Sequence, residues 1–190
     1  MVARVVVPEG LAHKRDGKMQ ECLLSDHYEA VLERVIRDVP PNGEVFLAPG
    51  NPFGCEVSEE VFAADYLKNK RPDLKAIVPS DVSHDKYLDT FDNAKILRSW
   101  LQNQGRWPFE EVVLYCNAPH RLRSAVLFRL CGFNVQLVIG CCPETVHRKM
   151  APRLWYYNYL PIHFLYEGMA LVHNFGRWVM WKIANPHGKQ

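Results

Sequence analysis

This 190-residue chain has no surplus of charge of either sign: 23 Lys and Arg stand against 21 Asp and Glu, for a formal net charge of +2. Without a global basic field, nucleic acid is not an expected partner. Long apolar runs are also missing. The first, in "MVARVVV", ends at Pro8 and Glu9, too short for a signal-peptide core. The aromatic C-terminal stretch is interrupted by Glu167, His173, Arg177 and Lys182, so no transmembrane span is expected. Cysteines at 22, 55, 116, 131, 141 and 142 form no C-x-x-C pair and lack zinc-finger His spacing. They predict free thiols in a reducing cytoplasm and no metal site. Neither G-x-x-x-x-G-K-S/T nor G-x-G-x-x-G occurs, which disfavours a standard nucleotide triphosphatase or dehydrogenase. There is no internal repeat and no low-complexity linker.

What is present is a hydrophobic fraction of 48%, enough to bury a sizeable core and to predict one domain over 1–190, with a core at 1–142 and a tail at 143–190. Short β-branched runs at 3–7, 44–48, 75–79, 111–116 and 134–140 are nearly continuous in apolar character, as strands covered on both faces must be. Helical stretches near 22–38, 57–70, 89–103 and 119–131 alternate with them. The alternation predicts an α/β fold: a three-layer, Rossmann-like open sheet, mostly parallel, of about five strands. From Ile162 the aromatic tail predicts a helix docked on the sheet or on a second copy in a homodimer, an interfacial membrane helix being the lesser alternative.

Ligands bind such sheets beyond the carboxyl ends of the strands, here the loops "VPEG", "APGNPFGCEVSEE", "PSDVSHDKYLDT" and "NAPHRLR". Three of the helices that follow begin their inward stripes with polar residues. With Ser58 as N-cap, Glu59 heads the stripe of Phe62, Ala63, Tyr66 and Leu67, while Glu60 reads as ordinary first-turn charge. Thr90 and Asn93 precede Ala94, Leu97, Trp100 and Leu101, with Asp89 as cap and Asp92 as an exposed first-turn acid. His120 and Arg123, three apart at the next helix start, precede a face running through Leu122, Val126 and Leu130. A cation at a helix N-terminus opposes the dipole, so Arg123 calls for a bound anion or a nearby carboxylate such as Glu59. Local capping accounts for each case taken alone; at one sheet edge, together, they predict a ligand pocket.

At these positions the chain resembles the YdcF-like family, the SanA/ElyC-like domain of unknown function. The similarity runs through "VVVPEG", "FLAPG", "SEE" with Glu59, "DTFDNA" with Thr90 and Asn93, "HRLRSA" with His120 and Arg123, and "LYEGMALVH" with Glu167. Where that family usually carries a glutamate and a serine before the Thr-x-x-Asn-Ala segment, this chain has His84 and Tyr87. The resemblance implies a role linked to cell-envelope polysaccharide metabolism.

The residues then support a small-molecule-binding protein, an enzyme of the transferase or hydrolase type working on a nucleotide-type or phosphorylated ligand. His120 and Glu59 are the catalytic candidates. Gly10, Gly50, Asn51, Thr90, Asn93, Asn117 and Arg123 are the ligand-binding ones. S-adenosylmethionine or another adenosine-containing ligand is the leading cofactor, since Glu59 suits ribose hydroxyls or a sulfonium better than phosphate. No nucleophile stands out, and Cys116 reads as strand core. Two alternatives stay open: a non-catalytic ligand sensor or scaffold with the same pocket, and a metal-assisted phosphoester hydrolase using Asp81, His84, Asp85 and Asp89.

Overall fold

A computed structural model describes residues 2–16, 19–148, 150 and 152–185. Five strands, β1 (Val2–Val6), β4 (Glu44–Leu47), β5 (Lys75–Ile77), β6 (Glu111–Asn117) and β7 (Val135–Cys141), form one parallel sheet in the order β5-β4-β1-β6-β7. It is a Rossmann-like open sheet. β1 lies at its centre, and the strand order reverses between β1 and β6, where the carboxyl ends leave a crevice.

Burial on both faces explains the apolar runs. Ala3, Val5 and Val7 face a core shared with Phe91, Ala94, Leu97 and Leu101 of α3 (Thr90–Asn103) and Leu127 and Phe128 of α4 (Arg121–Leu130). Val6, between them, faces the opposite core, with Tyr28, Val31, Leu32 and Val35 of α1 (Asp26–Asp38) and Ala63 and Leu67 of α2 (Glu59–Lys70). The helix face expected through Leu122 is corrected: Leu122 is 65% exposed, and α4 buries Arg123, Ser124, Ala125, Leu127 and Phe128 instead.

A further departure lies between β1 and α1. The helix expected from residue 22 begins at Asp26, because β2 (Leu11–Asp16) and β3 (Met19–Leu24) pair as an antiparallel hairpin. The hairpin carries Cys22 to the loop after β4, where it is disulfide-bonded to Cys55. The expectation of six free thiols is thereby corrected, and with it the basis for inferring a reducing compartment. Free thiols remain at 116, 131, 141 and 142.

The tail forms a 3₁₀ segment (Pro152–Asn158) and a 25-residue helix, α5 (Leu160–Ala184). Within the same chain, α5 lies over α3 and α4. Trp178 donates its indole N–H to the Leu130 carbonyl at 3.1 Å, Trp181 meets Phe91 edge-on, and Arg177 binds Asp89 and Asp92. Asp92 is therefore buried and ion-paired, not the exposed acid expected from its first-turn position. Among the described residues, no helix is long and apolar enough to cross a membrane.

Leu97 is fully buried where α3 meets the sheet. Leu97→Ala should lower unfolding free energy by about 2–5 kcal/mol through lost transfer energy and a residual cavity, measured by urea denaturation.

Candidate functional site

The crevice between β1 and β6 is closed by residues from four loops and the tail. After Val6 the chain leaves the sheet through Pro8, Glu9 and Gly10, and after β6 it turns through Asn117 to His120, so the two loops meet at the switch point. Glu9 is fully buried. Its Oε1 accepts the Asn117 backbone N–H at 2.7 Å and faces His120 Nδ1 at 2.9 Å, and its Oε2 accepts the Tyr157 hydroxyl at 3.3 Å. A carboxylate can only accept, so His120 donates its Nδ1–H to Glu9. The other ring nitrogen, Nε2, is hydrogen-bonded to Thr90 Oγ1 at 2.9 Å. Glu9, His120 and Thr90 thus form one buried hydrogen-bonded chain ending on a hydroxyl at the start of α3.

The second loop is held by the two glutamates that open α2. Glu59 accepts the N–H of Gly10 through Oε1 at 2.5 Å and that of Asn51 through Oε2 at 2.7 Å, tying the first two loops together. Glu60 accepts the N–H of Gly50 at 2.8 Å and lies 3.7 Å from His84, so it is a buried loop anchor and not ordinary first-turn charge. Ser58 sits at the N-cap without a side-chain capping bond. Burial pushes the Glu59 carboxyl up to about 8, against the downward pull of the two backbone N–H groups, with Glu60 and Glu9 adding to the rise.

Asn51 clamps the third loop: its amide donates to the Leu88 carbonyl at 2.9 Å and accepts the Leu88 N–H at 2.8 Å. Asn93, with its amide oriented so that nitrogen faces acceptors, donates to the carbonyls of Asp89 and Pro49. Arg123 pairs with Glu167 of α5 in a fork of 2.7 and 3.0 Å, both side chains buried. Burial alone would raise the Glu167 carboxyl, but His120, His163 and Arg123 bring it down to about 2. Burial also opposes charge on Arg123, yet Glu167 holds that group above its ordinary range.

Gly10, Asn51, Glu59, Thr90, Asn93, His120 and Arg123 line a single cavity of about 30 Å³. Its roof is Tyr87 with Leu154, Tyr156 and Tyr157 of the 3₁₀ segment. Gly10 has φ +93, and a Cβ there would lie 2.5 Å from Leu154, so the residue permits both the turn and the close roof. Such a volume holds a water or two. Larger spaces adjoin it: one of about 320 Å³ shares Tyr87, Asp89 and Arg123, and one of about 400 Å³ shares Asn51 and Tyr87 and is bordered by Lys86 and Arg153.

Two expected ligand-binding residues lie elsewhere. Gly50 makes room for Glu59, whose Oε2 would stand 2.6 Å from an added Cβ, and so serves an internal close approach. Asn117 lies beneath the cavity, with its amide nitrogen 3.0 Å from His27 Nδ1. Arg123 is answered by Glu167, neither by Glu59 nor by an open anion site. The residue that the motifs did not single out is Glu9; its signal is an acid in the first loop, three residues after β1. In the third loop, Asp81, His84, Asp85 and Asp89 gather no metal-ligand trio among the described residues.

Compared with protein-family models, curated proteins and solved structures, the chain matches none.

The Glu59 carboxyl, raised when folded, holds a proton that the unfolded chain has lost between its ordinary value of 4.5 and about 8. Stability should therefore fall as pH rises through that window. Glu59→Gln should flatten this dependence in chemical denaturation series at pH 5, 6.5 and 8 (about the limits of the window).

Proposed function

We propose that the protein is an enzyme of the transferase or hydrolase type in which His120, oriented by Glu9, takes the proton of the Thr90 hydroxyl. The carrying observation is the continuous buried chain from Glu9 through His120 to Thr90, with 2.9 Å at each step. Carboxylate, imidazole and alcohol in that order are the components of an activated nucleophile. As Thr90 Oγ1 bonds an electrophilic carbon of the ligand, such as the anomeric carbon of a sugar, its proton passes to His120 Nε2, Glu9 stabilises the imidazolium, and the bond to the leaving oxygen breaks as His120 returns that proton to it. Water or an acceptor hydroxyl, deprotonated by His120, then displaces Thr90 Oγ1, which regains its proton. The N-terminal end of α3 favours negative charge developing beside Thr90.

The Glu9 carboxylate behind His120 disfavours phosphate beside Thr90, and Arg123 is already paired. The reacting end of the ligand is accordingly a neutral, sugar-like group, while a cation such as the sulfonium of S-adenosylmethionine suits the same polarity as a bound, non-reacting group. The outer space is the place for an anionic end: Lys86 borders it, and Arg153, stacked 3.8 Å over the Tyr87 ring, keeps its N–H edge available. A nucleotide-type or phosphorylated ligand fits this polarity when its phosphate points outward. Entry requires the tyrosine roof to shift, which also suits the alternative of a ligand sensor. Membership of the YdcF-like family and a cell-envelope role rest on the sequence resemblance. The outward stripe of Leu165, Met169, Val172, Met180 and Ile183 on α5 is exposed and suits a homodimer.

S-adenosylmethionine, adenine nucleotides, nucleotide sugars and phosphosugars should be screened for a melting-temperature rise, and the best ligand followed for product by mass spectrometry. His120→Gln and Thr90→Val should each cut turnover by about 10²–10⁴-fold, whereas Arg153→Ala should chiefly raise KM. Turnover that survives His120→Gln would sink the proton-transfer role, and stabilisation without turnover would make the protein a sensor.

A further inference from the structure

The hairpin inserted after β1 takes no part in the sheet, yet it places a second cluster of reactive side chains away from the cavity. His13 and Cys22 are direct partners across β2 and β3, so their side chains project from the same face of the hairpin. Leu11 and Leu24, two residues back on each strand, are also direct partners on that face; both are buried, and they fix the register. From the opposite side comes Cys55, in the loop after β4, just beyond Gly54 at φ +84. Its Sγ lies 3.7 Å from His13 Nε2. The donor atoms of His13, Cys22 and Cys55 all fall within 4.8 Å of one another, and each of the three residues is half-buried.

We propose that His13, Cys22 and Cys55 form a soft-metal site that takes up zinc when the Cys22–Cys55 disulfide is reduced. A disulfide needs only its two sulfurs. A histidine held beside it by strand register adds the third donor of a Cys₂His set, the ligand chemistry that selects zinc, with water in the fourth position. The steps balance. A dithiol reductant gives two electrons and two protons to the sulfur pair and closes to its own disulfide. The two thiols of Cys22 and Cys55 then release two protons as their thiolates and the His13 imidazole bind one zinc ion. Half-burial leaves the sulfurs open to reductant and metal, unlike Cys116 and Cys131, which are buried in the core. Either the covalent bridge or the metal ties the hairpin to the loop whose Gly50 and Asn51 backbone is held by Glu60 and Glu59, so the loop after β4 stays anchored in both redox states.

The test uses the full chain carrying Cys141→Ser and Cys142→Ser, which removes the partly accessible thiols outside the cluster. Oxidised and phosphine-reduced protein are titrated with cobalt(II), then with zinc under a chromogenic chelator. The expected result is one cobalt per reduced chain, with thiolate charge-transfer absorption and tetrahedral ligand-field bands, and none for the oxidised chain. His13→Ala should weaken zinc binding by at least about tenfold, the lower range even for groups that only support a ligand. As a readout that needs no change at the cluster, zinc should protect Cys22 and Cys55 of the reduced chain from alkylation, scored by peptide mass mapping. Absence of stoichiometric binding after reduction, binding unchanged by His13→Ala, or alkylation of Cys22 and Cys55 at the same rate with and without zinc would each overturn the proposal.

Discussion

The buried carboxylate of Glu9 is the constraint on which the site depends. Removing an ionised group from water costs several kcal/mol unless donors replace its hydration. Here the donors come from three places: the Asn117 backbone at the end of β6, the His120 ring at the start of α4, and the Tyr157 hydroxyl in the tail. Only parallel pairing of β1 with β6 brings the first two within reach, since Val6 is level with Tyr115 and the chains diverge two to three residues later. The reversal of strand order thus yields more than an empty crevice. It yields a crevice whose floor is a charge that orients a histidine.

The glutamates at the head of α2 solve a different problem. The loop after β4 has no strand partner for its amides, and buried N–H groups must find acceptors. Glu59 and Glu60 provide them for Gly10, Asn51 and Gly50, at the expense of gathering carboxyl groups near Glu9. Burial resolves part of the conflict by raising Glu59 to about 8, so that it holds a proton at neutral pH. Glu167 takes the opposite course: pairing with Arg123 and the nearby histidines keeps it ionised. The site therefore has acids in both protonation states, Glu59 on α2 and Glu167 on α5, an arrangement that separates structural anchoring from charge stabilisation.

The five strands were legible because a strand buried on both faces has to be apolar throughout, a signal strong enough to survive in isolation. Glu59, Thr90, Asn93, His120 and Arg123 were legible for a related reason: a polar residue at the head of a helical stripe interrupts a period that can be counted. Glu9 interrupts nothing, since it lies in a loop without periodicity. Glu60 and Asp92 have surface positions in helical projection and are buried by segments folding back from elsewhere, the loop at Gly50 and Arg177 of α5. The hairpin escaped notice because its residues, rich in Lys, Arg, Glu and Asp, lack apolar alternation; the Asp16-Gly17 dipeptide was its one cue. The pairing of Cys22 with Cys55 depends on that hairpin, so missing the one entailed missing the other.

The tail might have been a cover and nothing else, given how much of α5 rests on α3 and α4. Its polar contacts argue otherwise. Tyr157 reaches Glu9 across 148 positions of sequence, and its ring packs against His163, which in turn approaches Glu167, the partner of Arg123. The roof and the charged floor are consequently one network. Lifting the 3₁₀ segment would take the Tyr157 hydroxyl from Glu9 and leave that carboxylate with the Asn117 N–H and the His120 ring alone. The roof therefore cannot move without changing the hydrogen bonding of the buried acid that orients His120.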